Sequence, residues 1–145
     1  MRLYLDTSAL VKRYIKEEGS EEVRKIFISA YNGDAVLHMH MFNLGEALSA
    51  IHKATRRAGR PEIYPLLKKR LLGDVRRLTK LGAMRLTPLT ISQILEASKY
   101  VEKHSLYIVD ALQIISAIQT NSELITGDEK LCNAAQSEGV TCREI

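Results

Sequence analysis

No apolar run in the 145-residue sequence approaches the ~18 residues that a membrane span requires. The opening residues, MRLYLDTSALVKRY, are too polar and too soon interrupted by charge for a secretory signal. A cytoplasmic chain is therefore expected. Cysteine is scarce: Cys132 and Cys142 are the only two, with no CxxC pair and no companion ligands, which argues against a zinc site. Two reduced thiols filling structural positions are expected, as suits a reducing compartment. Tryptophan is absent, and six Tyr and two Phe leave little aromatic surface for stacking on nucleotide bases. No repeat, low-complexity tract or linker interrupts the chain. It reads as one domain over residues 1–145, large enough to build a core without disulfide or structural metal.

The charge is unevenly spread. Net charge is +4, but residues 52–80 carry ten Lys/Arg against only Glu62 and Asp74, so that segment is +8 and the remainder is −4. One basic region on an otherwise acidic body points to a polyanionic partner. The plainer alternative is a pair of solvated helix faces.

Strand and helix signals alternate. RLYL (2–5) reads as a strand ending at Asp6, and TSALVKRYIKE (7–17) follows with helical spacing. Gly19 breaks that helix, and Ser20 is placed to cap the next, EEVRKIFISAY. AVLHM is a second strand. A helix over 41–58 stops at Gly59, and Pro61 opens another that runs to about Gly82, with Gly73 as a weak point in its middle. AMRLTP is the third strand. Thr90 and Gln93 form a capping-box pair, and Ser105 is placed to cap the helix that follows. ELITG, a short helix DEKLCNAAQSEG and VTCREI complete the order. The expected fold is α/β: a three-layer α/β/α sandwich around a parallel sheet of about five strands. In such sheets ligands bind beyond the carboxyl ends of the strands where strand order reverses, here the ends of strand 1 and of its neighbour, strand 4.

Four acids stand near that place. Asp6 ends strand 1, and Asp128 follows strand 4. Glu46 lies in FNLGEALSAI, and Asp110 interrupts the apolar stretch YIVDALQIISAI. Taken singly, Asp6 or Asp128 could be a helix N-cap, Asp110 an acid answering the helix dipole, and Glu46 half of an ion pair. Taken together, four carboxylates in one poorly solvated crevice need a cation between them. Oxygen-only ligands suit Mg²⁺ or Mn²⁺, ions that activate water against a phosphodiester. An acidic metal site beside basic helices points to nucleic-acid hydrolysis.

LYLDTSALVKRY, NLGEALSAI, YIVDALQIISAI and LITGDEKL, in that order, resemble the four motifs of the PIN-domain ribonucleases, and among them the VapC-type toxins of toxin–antitoxin pairs. The resemblance covers nearly the whole chain. It implies metal-binding acids at Asp6, Glu46, Asp110 and Asp128, with hydroxyls of Thr7, Ser8 and Thr126 in support. It further implies Mg²⁺ or Mn²⁺ dependence, RNA cleavage leaving a 5′-phosphate and a 3′-hydroxyl, a homodimer, and a small antitoxin that covers the active site. Two departures stand out: HMHM replaces a small hydroxyl residue before the second motif, placing His38 and His40 on one side of a strand, and Glu129 sits beside Asp128. Structural roles are expected for the two histidines, and Asp128 has the better register for metal.

The reading that follows is a metal-dependent endoribonuclease whose Lys53, Arg56, Arg57, Lys68 and Lys69 grip the RNA backbone. A Mg²⁺-dependent phosphatase is a competing reading, weakened because Ser8 stands where its second acid belongs. A non-catalytic module that docks RNA or a protein is another.

Overall fold

Alternation along the strands sets the two faces of the sheet. In β1 (Arg2–Leu5), Leu3 and Leu5 enter one core while Tyr4 enters the other, as the two-residue period of a strand requires. The structure, a computed structural model, describes all 145 residues. β1 is followed by α1 (Thr7–Val11), α2 (Ser20–Tyr31), β2 (Val36–His40), α3 (Met41–Arg57), a 3₁₀ turn (Pro61–Ile63) and α4 (Tyr64–Lys80). The remainder is β3 (Met84–Thr87), α5 (Ile91–His104), α6 (Ile108–Thr120), β4 (Glu123–Thr126), α7 (Glu129–Ser137) and β5 (Cys142–Glu144).

All five strands are parallel, in the order β3-β2-β1-β4-β5. Leu3 pairs with Leu37 on one side and with Glu123 on the other. Strand order reverses between β1 and β4, as the sequence led us to expect. One core packs α1–α4 against Leu3, Leu5, Leu37, Met39 and Ile125; the other packs α5–α7 against Tyr4 and Leu124. The result is the expected α/β/α sandwich. α6 is the most enclosed helix: Ala111 to Ala117 are all buried, which explains the apolar run of YIVDALQIISAI. No helix is long and apolar enough to cross a membrane.

Several local expectations need correction. α1 ends at Val11, well short of residue 17. Beyond it, Arg13 and Tyr14 turn toward Asp74, with Nε at 3.5 Å and the hydroxyl at 3.0 Å, and these tertiary contacts override helical spacing. Ser20 is the first residue of α2, whose N-cap is Gly19 at φ +83. The Ser20 hydroxyl instead accepts from the Glu17 N–H and donates to the Ile15 carbonyl, bracing the preceding loop. Ser105 caps the end of α5 in the left-handed region (φ 52), and α6 starts three residues later. Pro61 opens only the 3₁₀ turn, and α4 runs uninterrupted through Gly73.

The cysteines are not free. Cys132 on α7 and Cys142 on β5 form a disulfide across a Cα–Cα distance of 5.6 Å. The chain reverses at Gly139 (φ 79) and brings the last strand back along α7, so two cysteines without any local pairing motif become neighbours. The expectation of reduced thiols falls, and with it the inference from cysteine to a reducing compartment.

Candidate active site

Asp6 sits one residue past β1, buried at 6% exposure. Its Oδ1 accepts the Ala9 N–H at 2.8 Å, which caps α1, and the Ser8 hydroxyl at 2.7 Å. Its Oδ2 accepts the Thr126 hydroxyl from the end of β4 at 2.6 Å. The same Thr126 oxygen receives the Asp128 N–H at 3.0 Å, and Ser8 Oγ receives the Gly127 N–H at 2.8 Å. The ends of two adjacent strands are thus laced through two hydroxyls around one carboxylate. Space at Gly127 is tight: a Cβ there would lie 3.2 Å from Lys12 Cε and 3.4 Å from Ser8 Oγ.

The other three acids line the same open cavity, of about 380 Å³, over the switch point. Asp128 caps α7, its Oδ1 accepting the Leu131 N–H at 3.1 Å, and Oδ2 has no protein partner. Glu46 projects from α3 and accepts the Thr7 hydroxyl on Oε1 at 2.7 Å. Asp110, in the first turn of α6, has neither a hydrogen-bond nor an ion-pair partner, although it is partly buried. The cap readings and the site reading therefore coexist: a cap engages one oxygen of Asp128 and leaves the other facing no protein donor. The expectation that all four acids are poorly solvated holds for Asp6 and Asp110 only; Glu46 and Asp128 are exposed.

Electrostatics mark the first two. Burial raises the pKa of Asp6, three hydrogen bonds oppose that rise, and the charge of Asp128 adds to it. Burial also raises Asp110, reinforced by Asp128, Asp6 and Glu46 and opposed only by Lys130. Both shifts disfavour the anionic form. The donor set is all oxygen, with two unpartnered carboxylate oxygens on Asp110 and one each on Asp128 and Glu46, a chemistry suited to a hard divalent cation. As they stand, no three His, Cys, Asp or Glu side chains anywhere in the chain are gathered closely enough to hold a metal ion.

Three cavity residues with polar side chains were not anticipated. Lys12 lines it with its ammonium directed to the Glu18 carbonyl (2.9 Å) and Glu17 (3.5 Å). Its position four residues after Ser8 in a helical pattern was the available signal. Glu17 gave none. Gln113 is buried beneath the cavity, and its Oε1 accepts from Tyr4 (2.8 Å) and Asn43 (3.1 Å), tying α6 to β1 and α3. Glu129, His38 and His40 do not line the cavity. His40 is buried, stacks on Phe42 at 4.2 Å and contacts Gln93 at 3.3 Å; burial holds the pKa of both histidines low.

Of the basic residues, Lys53 and Arg57 lie 7 and 11 positions beyond Glu46 on α3 and so share its helix face, all three exposed. Arg56 is exposed on an adjoining face. Lys68 and Lys69 on α4 line a separate cavity that includes none of the four acids.

The PIN-domain family model matches residues 3–136, and the chain belongs to the PIN-domain family. Solved structures of similar fold include Mycobacterium tuberculosis VapC20, a sarcin-ricin loop cleaving toxin. It is 14% identical with a TM-score of 0.64, over 91% of this chain and 94% of that one. Rickettsia felis VapBC2, bound to a DNA fragment from its promoter, is 16% identical with a TM-score of 0.61, over 99% and 98%. Neisseria gonorrhoeae FitAcB is 19% identical with a TM-score of 0.59, over 97% and 95%. No curated protein matches the chain at a significant level.

Proposed function

We propose that the chain is a divalent-metal-dependent endoribonuclease and the toxin of a toxin–antitoxin pair. The observation that carries this reading is the meeting of four carboxylates from four separate elements in one cavity at the reversal of strand order, in a chain of the PIN family. Asp6, Asp110 and Asp128 would hold Mg²⁺ or Mn²⁺, directly or through water, and Glu46 would bind the ion or orient the attacking water. When bound, the ion supplies charge neutralisation for the phosphodiester and a more acidic water.

The chain's own residues do the positioning. Ser8 and Thr126 fix the Asp6 carboxylate through short hydrogen bonds, and Thr7 does the same for Glu46. Water attacks phosphorus, the P–O3′ bond breaks, and the products carry a 5′-phosphate and a 3′-hydroxyl. Lys53 and Arg57, with Arg56 beside them, extend positive charge along α3 away from Glu46 for the flanking phosphates. Lys68 and Lys69 do so on α4. Relatives of this fold that occur as VapBC pairs support an antitoxin partner, and a homodimer belongs to the same reading. The phosphatase alternative fares worse: Ser8, in place of a second acid, spends its hydroxyl on Asp6.

Purified protein is offered a mixed RNA pool with and without Mn²⁺ or Mg²⁺, beside an Asp6→Asn/Asp110→Asn control. Metal-dependent cuts missing from the control are expected, and identical traces would sink the nuclease. Metal titration of Asp110→Asn should show weakened binding; wild-type affinity would remove Asp110 from the ligand set.

A further inference from the structure

A small recess is formed where the segment following α1 meets α4. Its wall is Arg13, Tyr14, Arg70, Asp74 and Arg77, enclosing about 240 Å³. Asp74 is 5% exposed and is the only acid there. It already accepts three hydrogen bonds, from the hydroxyls of Tyr31 (2.7 Å) and Tyr14 (3.0 Å) and from Arg77 Nη2 (2.8 Å), and Arg13 Nε forms an ion pair with it at 3.5 Å. One carboxylate faces three guanidinium groups, so the recess has two positive charges in excess.

Arg70 and Arg77 are exposed, but two of the three arginines are held by specific contacts. Arg13 is held by Asp74 and by the Phe27 ring, 5.0 Å from its centroid. Arg77 is held by Asp74 and by the Tyr31 hydroxyl at 3.2 Å. Arg70 contacts no acid and makes no hydrogen bond, so its five N–H donors are uncommitted. Two guanidinium groups held in place, with a third free to turn toward a ligand, match the oxygens of a phosphate. Arg70 and Arg77 also line the neighbouring α4 cavity with Lys68 and Lys69, which continues the positive surface. The chain passes from the acidic cavity to the recess between consecutive residues, Lys12 lining the first and Arg13 the second.

We infer that the Arg13–Arg70–Arg77 recess binds one backbone phosphate of a single-stranded RNA whose chain also crosses the acidic cavity. The choice of RNA as the source of that phosphate rests on the nuclease reading above. The test is fluorescence anisotropy of a labelled single-stranded RNA in EDTA, where no cleavage intervenes, as a function of salt. Arg70→Gln breaks no hydrogen bond or ion pair, and Lys99→Gln, at an exposed position on α5, is the charge-matched control. Arg70→Gln should weaken binding about three- to tenfold at low salt and make the log–log salt slope shallower by ~0.7, the increment of one phosphate on a single strand.

Equal curves for Arg70→Gln and Lys99→Gln would overturn the recess while leaving metal-dependent cleavage by wild type untouched. Unchanged RNA binding with weakened binding of poly-glutamate would also overturn it, by giving the recess to protein carboxylates. Loss of RNA affinity in Arg70→Gln from a wild type that never cleaves RNA would support the recess and defeat the nuclease reading instead.

Discussion

The Thr126 hydroxyl donates to Asp6 Oδ2 over 2.6 Å, joining the end of β4 to the end of β1 and lowering the pKa that burial raises. Thr126→Val removes that donor at nearly constant volume. Loss of this hydrogen bond to the charged form should raise the Asp6 pKa further. A carboxylate that must be ionised to work then needs a higher pH. The acid limb of the pH–rate profile is expected to move upward, so that the loss is greatest at the acid end and shrinks as pH rises. An equal loss at every pH would make the hydroxyl's role purely positional.

Asp110 should trade stability for function. Burial and three neighbouring acids raise its pKa in the folded chain, so the native state binds more protons than the unfolded state between the ordinary carboxylate pKa and the raised value. Its contribution to stability therefore falls as pH rises through that window. In EDTA at pH 7, Asp110→Asn is expected to melt higher than wild type, while abolishing cleavage. Discounted for the partial exposure of the site, the gain is on the order of 1 kcal/mol, or about 3 °C. The difference should vanish below pH 4. Thermal melts at the two pH values check it, and a lower midpoint for the variant at pH 7 would refute it.

The disulfide gives an independent prediction. It closes a loop over a sequence separation of 10, which in the chain-entropy account corresponds to about 3 kcal/mol. Cys132→Ala/Cys142→Ala, or dithiothreitol, should lower the urea midpoint accordingly. Cys132 also donates its N–H to the carbonyl of Asp128, so the metal titration should be repeated on the reduced protein. Unchanged stability on reduction would show that α7 and β5 need no covalent tie.

Particular residues show what was legible from sequence. Thr90 and Gln93 formed a readable capping box because both partners are local, and the structure forms both of its hydrogen bonds. Asp6, Glu46, Asp110 and Asp128 could be named because each sits against an apolar pattern or a strand end. Their exposures could not: whether a carboxylate on α3 or α7 meets water depends on what packs across the cavity, and Glu46 and Asp128 meet it. Ser105 looked like an N-cap from its position alone, but with the next helix starting at Ile108 it adopts the left-handed turn that ends α5. The cysteine pair and the cluster around Asp74 were hidden for a common reason. Their partners are brought together by chain reversal or from three elements, and no periodicity encodes that.

Asp74 titrates with the opposite sign to Asp110. Burial pushes its carboxyl up, but hydrogen bonds from Tyr31, Arg77 and Tyr14 and the charge of Arg13 outweigh burial and hold it below the usual range. A depressed folded pKa stabilises the fold above the unfolded value, near pH 4, and that stability is lost as pH falls through the folded value. Asp74→Asn removes the charge that Arg13 and Arg77 face and leaves the two tyrosine hydroxyls around an amide. The expected cost at pH 7 is ~1–2 kcal/mol, carried mainly by the tyrosine hydrogen bonds, because the Arg77 side chain is largely exposed. Urea unfolding of wild type and Asp74→Asn from pH 3 to 7 should show two curves converging at the acid end. Parallel curves would mean that Asp74 stabilises α4 through shape and hydrogen bonding, with its charge contributing nothing.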